Sequence, residues 1–386
     1  MQDFSGKLDA NYIYHRSKEN MMAEMMKGLV EYPSGELKLE QVPVPQIGKT
    51  RFAPHDVLVE VEYCGICGSD IYKFTASDEE KADVRHVPAP VVSGHEIVSV
   101  VREVGSEVTT VKPGDRVVHE IVTFFCGHCP ACLEGRFNIC NTIEPMKGRA
   151  HYVTGGGFAD YTMWSEHQLH RIPDNVSSKA AVLMEPLAGS IHSVITRMGV
   201  KAGESVAILG PGARGLLMLQ VCKAIGAGPI IMTGITRDEP YRLAMAKKLG
   251  ADLIVNVEKE DIRKKVLEIT NGIGVDVVLE NTGAVEPISE SLDIVRKGGR
   301  VMWAGGGIRG GIVAPVDTSK IIVKELDVKG EISQIPYDWK TAIHFASTGR
   351  VELESLVTHI YPLEQWHDGF MLAATSPDCL RVALKP

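Results

Sequence analysis

The apolar positions along this chain fall into two rhythms. From Met26 the pattern is β-like: Lys27-Gly28-Leu29-Val30, then Val57-Leu58-Val59-Glu60-Val61-Glu62 in partial alternation, then the largely apolar run Ile97–Val101. Lys112-Pro113-Gly114-Asp115 stands before Arg116–His119, and short apolar runs with such Gly/Pro punctuation predict a compact, mostly β lobe. Ala188 to Met198 is apolar-periodic and predicts a helix ending at Gly199. The rhythm then changes. Ser205–Leu209, Ile230–Thr233, Leu253–Val257, Val275–Leu279 and Val301–Ala304 read as strands. Leu216–Ile225, Arg242–Leu249, Asp261–Thr270 and Pro287–Lys297 read as the helices between them, which is the signature of an α/β doubly wound parallel sheet. From about Val328 the alternation lapses. Pro362-Leu363-Glu364-Gln365-Trp366 opens a helix and Leu380–Leu384 closes the chain as a strand, which we expect to rejoin the first lobe. The expected division is an N-terminal extension over 1–25, a β lobe over 26–187, a parallel-sheet domain over 188–328 and a return segment over 329–386.

Composition bounds this picture without changing it. At 386 residues the chain exceeds one typical core, so two domains are the default. The net charge of −8 and the absence of any Lys/Arg run argue against nucleic acid. The apolar runs are strand-length and broken by Gly or charge, so no membrane span is expected. Residues 1–25 carry Lys7, Asp9, Arg16, Lys18, Glu19 and Glu24 and no apolar core of a secretory signal. The cysteine spacing fits metal binding in a reducing, cytoplasmic compartment better than a disulfide scaffold.

Three clusters carry chemistry. In Cys64-Gly65-Ile66-Cys67-Gly68-Ser69-Asp70 a thiol, a hydroxyl and a carboxylate lie within four residues, and Gly94-His95-Glu96 follows with an imidazole beside another carboxylate. Cys, His and Glu together suit Zn²⁺ in a catalytic site that keeps one position open. Any one of these residues alone would fit a buried thiol or a core histidine; their company favours the metal. In Cys126-Gly-His-Cys129-Pro-Ala-Cys132, with Cys140 beyond, four cysteines can close a tetrahedral zinc site. Two disulfides are the alternative, and this spacing makes them awkward. His128 between the ligands is expected to face solvent. Finally, Ser205–Leu209 runs into Gly210-Pro211-Gly212-Ala213-Arg214-Gly215 and a helix, a G-x-G-x-x-G in the strand–turn–helix context that binds a dinucleotide pyrophosphate.

Taken in order, Gly65-Ile66-Cys67-Gly68-Ser69-Asp70, Gly94-His95-Glu96, the four-cysteine loop, Glu185-Pro186-Leu187 and Gly210–Gly215 make the chain resemble the zinc-containing medium-chain dehydrogenase/reductase family of the alcohol dehydrogenase superfamily. The likeness is strongest to its sorbitol (polyol) and threonine dehydrogenase branch. The resemblance implies a GroES-like catalytic domain, a Rossmann domain and an active site between them. It implies that Cys67, not Cys64, and His95 are catalytic zinc ligands. Glu96 and Glu185 compete for the third place. Glu96 adjoins His95, and strand neighbours point to opposite faces, so both reach one ion only across a turn. Glu185 is free of that objection but could act through metal-bound water. Ser69 matches the hydroxyl that relays the alcohol proton, and Asp70 matches a carboxylate beside the metal, a plain turn-capping Asp being the alternative.

One departure concerns the cofactor. The acidic residue expected about 20 residues after the glycines, where it would hold the ribose, is replaced by Gly234, followed by Ile235-Thr236-Arg237-Asp238. Arg237 could face a 2′-phosphate and Asp238 could swing back to the hydroxyls, so NAD and NADP both stay open. Thr282-Gly283 is expected near the substrate end of the cleft. The activity implied is reversible oxidation of a secondary alcohol of polyol, sugar or amino-alcohol type, with two zinc ions per subunit in a homo-oligomer, dimer or tetramer. A zinc-free reductase of activated double bonds and a non-catalytic nucleotide-binding protein are the competing classes; both predict lost metal ligands, and none is lost.

Overall fold

The computed structural model describes residues 24–50, 52–76, 90–122, 125–141, 155–305 and 313–386. The extension expected over 1–25 thus lies almost wholly outside the described residues. The strands are β1 (Met25–Glu31), β2 (Leu37–Pro43), β3 (Asp56–Gly65), β4 (Val91–Val92), β5 (Glu96–Val104), β6 (Arg116–His119), β7 (Tyr161–Ser165) and β8 (Leu169–Arg171). They continue as β9 (Val206–Leu209), β10 (Ile230–Gly234), β11 (Leu253–Asn256), β12 (Val275–Glu280), β13 (Val295–Trp303), β14 (Asp327–Gly330), β15 (Val357–Pro362) and β16 (Arg381–Lys385).

The first lobe is built on a sheet in the order β15-β16-β3-β5-β6-β8, with β7 also paired to β3. Its backbone is β3, whose Val57, Val59 and Val61 alternate inward while Leu58, Glu60 and Glu62 are half-buried. The pairing of β3 with β5 sets Cys64 opposite Ile97 and Gly65 opposite Glu96. The chain's last strand, β16, pairs antiparallel with β3 through Leu384 and Ala383, next to the same corner. Residues from the start and the end of the chain therefore meet at the end of β3.

The second sheet runs β11-β10-β9-β12-β13-β14, and all its pairings are parallel. Numbered from β9, that order is 3-2-1-4-5-6, so the direction of winding reverses between β9 and β12. Ligands of such sheets bind in the crevice at the carboxyl ends of those two strands. Apolar, near-continuous strands such as Val206-Ala207-Ile208-Leu209, all buried, are what a sheet covered on both faces requires.

Three elements differ from their sequence reading. The expected helix Pro287–Lys297 is Val285–Ile294, because β13 starts at Val295 and passes through Gly298-Gly299. Gly298 has φ +64°, the β12–β13 register shifts nearby, and two glycines oppose helix while favouring a bulge. The parallel sheet also runs past Val328: β14 is its half-exposed edge strand, too short and mixed to show a pattern. The expected helix from Ala188 is Met184–Ile191, so Glu185 lies in its first turn, and it widens into a π-helix over His192–Arg197. There Ser190 and Ser193 donate their hydroxyls back to the carbonyls of Pro186 and Gly189.

That helix joins the lobes, packing on helices Ala213–Ala224 and Pro336–Ser347 as well as on β5 and β6. Across the same seam His170 stacks on Trp339 with ring centroids 5.4 Å apart. The crevice of the parallel sheet and the end of β3 are thereby brought face to face.

Candidate active site

Cys67 caps the helix Gly68–Thr75, and its side chain, with those of His95 and Glu96, offers ligand atoms all within 4.8 Å of one another. The geometric objection to Glu96 is removed by the backbone. His95 precedes β5, Glu96 is its first residue, and Gly94 before them has φ +93°. The chain turns there, so neighbours need not face opposite ways. Gly94 also packs against Phe158 and Cys64, where any Cβ would sit 2.8 Å from the Cys64 sulfur. Cys64 is thus buried behind the site rather than part of it. Gly65 is required for the same reason, since a Cβ on it would lie 2.2 Å from Glu96 Oε2.

Asp70 does both things considered for it. Its Oδ2 accepts from Cys67 N at 2.9 Å, capping the helix, and its Oδ1 stands 3.9 Å from His95 Nδ1. Ser69, half-buried, lies in the first turn of the same helix, beside Cys67. Glu185 is outside the group of converging atoms, yet its charge reaches both His95 and Glu96. Its Oε1 accepts from Gln334 Nε2 at 3.0 Å.

The donor set fits a cation. Both Glu96 oxygens are buried without a hydrogen-bond partner. Arg381 Nη1 is 2.9 Å from Oε1, an ion-pair contact whose angle makes no hydrogen bond. Burial pushes the Glu96 carboxyl well above its ordinary range, and the charges of Arg381 and His95 only partly offset it. Burial also acts against charge on Cys67 and His95, but each favours the other's charged form, thiolate and imidazolium. A buried carboxylate, a thiol leaning to thiolate and an imidazole form a set that a bound Zn²⁺ would satisfy.

The second set is closed. Cys126, Cys129, Cys132 and Cys140 form no disulfide and their sulfurs converge, with Cys126–Cys132 at 4.0 Å and Cys129–Cys140 at 3.8 Å. Zinc–sulfur bonds of about 2.3 Å give a tetrahedral edge of about 3.8 Å, so the spacing suits ZnS₄. Backbone N–H groups of Cys126, His128, Cys129 and Asn141 point at these sulfurs, as thiolates require. His128 is exposed and its ring bonds the Cys126 carbonyl instead.

A third convergence, His55, Glu166 and His167, is differently made. Glu166 is fully committed: Oε1 pairs with His55 Nδ1 at 2.7 Å and Oε2 accepts from the backbone N–H groups of Thr109 and Thr110. Although burial acts upward, those bonds hold its carboxyl down at about 2. It is a satisfied loop anchor.

The glycine loop sits at the carboxyl end of β9. Gly210 has φ +104°, and Gly215 must be bare because a Cβ there would lie 2.0 Å from the Gly210 carbonyl oxygen. Gly212, which caps the helix Ala213–Ala224, has nothing within 4 Å of where its Cβ would be. Open space at a helix N-terminus is what a pyrophosphate would need. Thr282 and Gly283 lie across from Gly210, their N–H groups both bound to Glu280 Oε1. At the end of β10, a Cβ on Gly234 would be 2.9 Å from Pro211 and 3.1 Å from Asp238 Oδ2, so Asp238 does fold back over that strand end. There it caps Ile235 N, while Arg237 donates to the Thr375 carbonyl. Arg214 is turned from the phosphate cradle to Glu331 and to Ser193 Oγ.

Arg381, Gln334 and Glu331 are absent from the sequence reading. A lone arginine in the apolar run Leu380-Arg381-Val382-Ala383-Leu384 is a signal that could have found the first, because a buried charge needs a partner. Nothing comparable marks the other two.

Comparison with known proteins follows the same division. The chain matches the alcohol dehydrogenase GroES-like domain over residues 53–174 and the zinc-binding dehydrogenase domain over residues 214–348. D-arabitol-phosphate dehydrogenase of Enterococcus avium is 38% identical over 349 residues, covering 90% of this chain and 94% of the relative. Sorbitol dehydrogenase of Halalkalibacterium halodurans is 35% identical over 365 residues, covering 94% and 99%. A zinc-binding dehydrogenase structure from Sinorhizobium meliloti, solved bound to NADP, superposes with a TM-score of 0.81 at 29% identity, covering 94% of this chain and 100% of that one.

Proposed function

Because the chain belongs to the zinc-type alcohol dehydrogenase family and is an NAD(P)-linked alcohol dehydrogenase, we propose that it oxidises a secondary hydroxyl of a polyol or polyol phosphate to the ketone at the Cys67/His95/Glu96 centre. The observation that carries this is the convergence of those three side chains, with both Glu96 oxygens buried and without a hydrogen bond. The D-arabitol-phosphate and sorbitol dehydrogenases named above act on polyols of this kind.

Cys67, His95 and Glu96 would hold the catalytic zinc. When bound, zinc supplies a Lewis acid that lowers the pKa of the substrate hydroxyl, and the nicotinamide supplies the hydride acceptor. The chain's own residues do the rest. Ser69 Oγ takes the hydroxyl proton and passes it toward solvent. Asp70 orients His95 and fixes Cys67 by capping its N–H. Arg381, paired with Glu96 Oε1, holds that carboxylate in place. Gly212 and the helix behind it receive the pyrophosphate, and Thr282-Gly283 close the crevice at β12. The four-cysteine site takes a second, structural zinc. The same reading divides the chain near residues 187 and 328, with the last segment returning to the β lobe. It extends to a homo-oligomer in the cytoplasm, supported by the open edge at β14, the exposed Ile322 and Val323, and eight free thiols. The solution mass checks the assembly.

A panel of polyols, polyol phosphates, sugars and amino alcohols with NAD and with NADP, followed by reduced-nicotinamide absorbance, tests the substrate class. Turnover should be confined to acyclic polyhydroxy compounds or their phosphates. Activity on amino alcohols alone would overturn the assignment.

A further inference from the structure

Residues 330–334 touch four separate parts of the molecule within five positions. The Gly330 carbonyl accepts from Arg197 Nε at 2.9 Å, on the π-helix. Glu331 pairs with Arg214 of the glycine loop. The Ile332 carbonyl accepts from Asn138 Nδ2 at 2.7 Å, in the four-cysteine loop. Gln334 then reaches Glu185. Between these anchors Ser333 adopts φ +59°, a left-handed conformation that residues other than glycine rarely take and keep only when their surroundings enforce it.

What the anchoring achieves is seen at Gln334, which is only 4% exposed. A carboxylate can only accept, so the amide must present its NH₂ to Glu185, and its oxygen is turned to Ser333 Oγ at 3.3 Å. Glu185 is a carboxylate within electrostatic reach of His95 and Glu96, yet it is not among the converging ligand atoms. A catalytic zinc keeps three protein ligands and one open position, and a second carboxylate entering that position as a fourth ligand would compete with substrate.

We infer that Gln334 is a positioning residue that holds Glu185 off the zinc site, keeping the fourth position free for the alcohol. The inference rests on the zinc site proposed above. It accounts for the pinning of segment 330–334, because a side chain that restrains a carboxylate must itself be fixed. The result of losing it is unusual in sign. Removing a merely structural residue would loosen the metal and slow the enzyme together. Removing this restraint frees Glu185 to enter the fourth position, so the metal is held more tightly while turnover falls.

Gln334→Met keeps the length of the side chain and removes its N–H donors. In the zinc-loaded enzyme, release of zinc to a chelator is followed in time; the phase belonging to this site is the one missing in Cys67→Ala. We expect release about tenfold slower than wild type and kcat about tenfold lower or more, in the range that partners of metal ligands usually command. Adding Glu185→Gln to Gln334→Met should return release to the rate of Glu185→Gln alone. Gln334→Leu, which also lacks a donor, repeats the test if the Met variant does not fold. Unchanged or faster release, or slowing that persists in the double variant, overturns the inference. Wild-type protein lacking the Cys67 zinc phase would remove the site reading beneath it as well, so the two failures are distinguishable.

Discussion

At the end of β3 single atoms decide what fits. Gly65 and Gly94 are bare because Glu96 and Cys64 occupy the space their side chains would need, and the buried Glu96 is ion-paired with Arg381. Removing one partner of a buried ion pair is costly, so this corner tolerates little change. Ser69 is different: it is half-buried in the first turn of a helix. Ser69→Ala should therefore leave zinc content and thermal midpoint unchanged while lowering kcat about a hundredfold or more, as expected for loss of a positioned proton relay. Steady-state kinetics beside metal analysis and a melt check this; near-wild-type kcat would take Ser69 out of the reaction. The convergence of Cys67 with His95 and Glu96 was legible because residue types and spacing point to it. Gln334 was not, because an amide anywhere in a chain is ordinary until its partner is known.

Among the elements, the turn after β9 makes two glycines do opposite work. Gly215 is structural, facing the Gly210 carbonyl, whereas Gly212 faces open space. Gly212→Val should weaken cofactor binding about tenfold or more and leave the melting midpoint nearly unchanged. Gly215→Val should instead lower the midpoint sharply or prevent folding, because the backbone must shift. Cofactor titration and thermal melts separate the two. Equal behaviour would mean that the loop is an ordinary strand–helix turn. The parallel strands and this turn could be read from the sequence because both-sided burial leaves a continuous apolar run. The early start of β13 at Val295, ahead of Gly298-Gly299, and the edge strand β14 could not, since a bulge and a half-exposed edge erase periodicity.

Over the whole molecule, the helix Met184–Ile191 and the segment 330–334 hold the metal corner of one sheet against the cofactor crevice of the other. That juxtaposition, not either lobe alone, makes an alcohol dehydrogenase. Charges report it: Arg214, in the glycine loop, feels both Glu185 and Cys67. The order of motifs predicts two lobes and two cysteine-bearing clusters, but the contacts between lobes come from residues far apart in sequence, such as His170 with Trp339 and Asn138 with the Ile332 carbonyl, which no local pattern encodes. Two zinc ions with different roles, one catalytic and one structural, are what the function proposed above requires. Zinc per subunit, measured by mass spectrometry on protein prepared without chelator, should be close to two in wild type. It should be close to one in Cys67→Ala, folded but inactive, and Cys129→Ala should lose stability along with its zinc, because a closed site contributes folding energy directly. Wild-type protein with reproducibly no zinc, or two variants that behave alike, would contradict it.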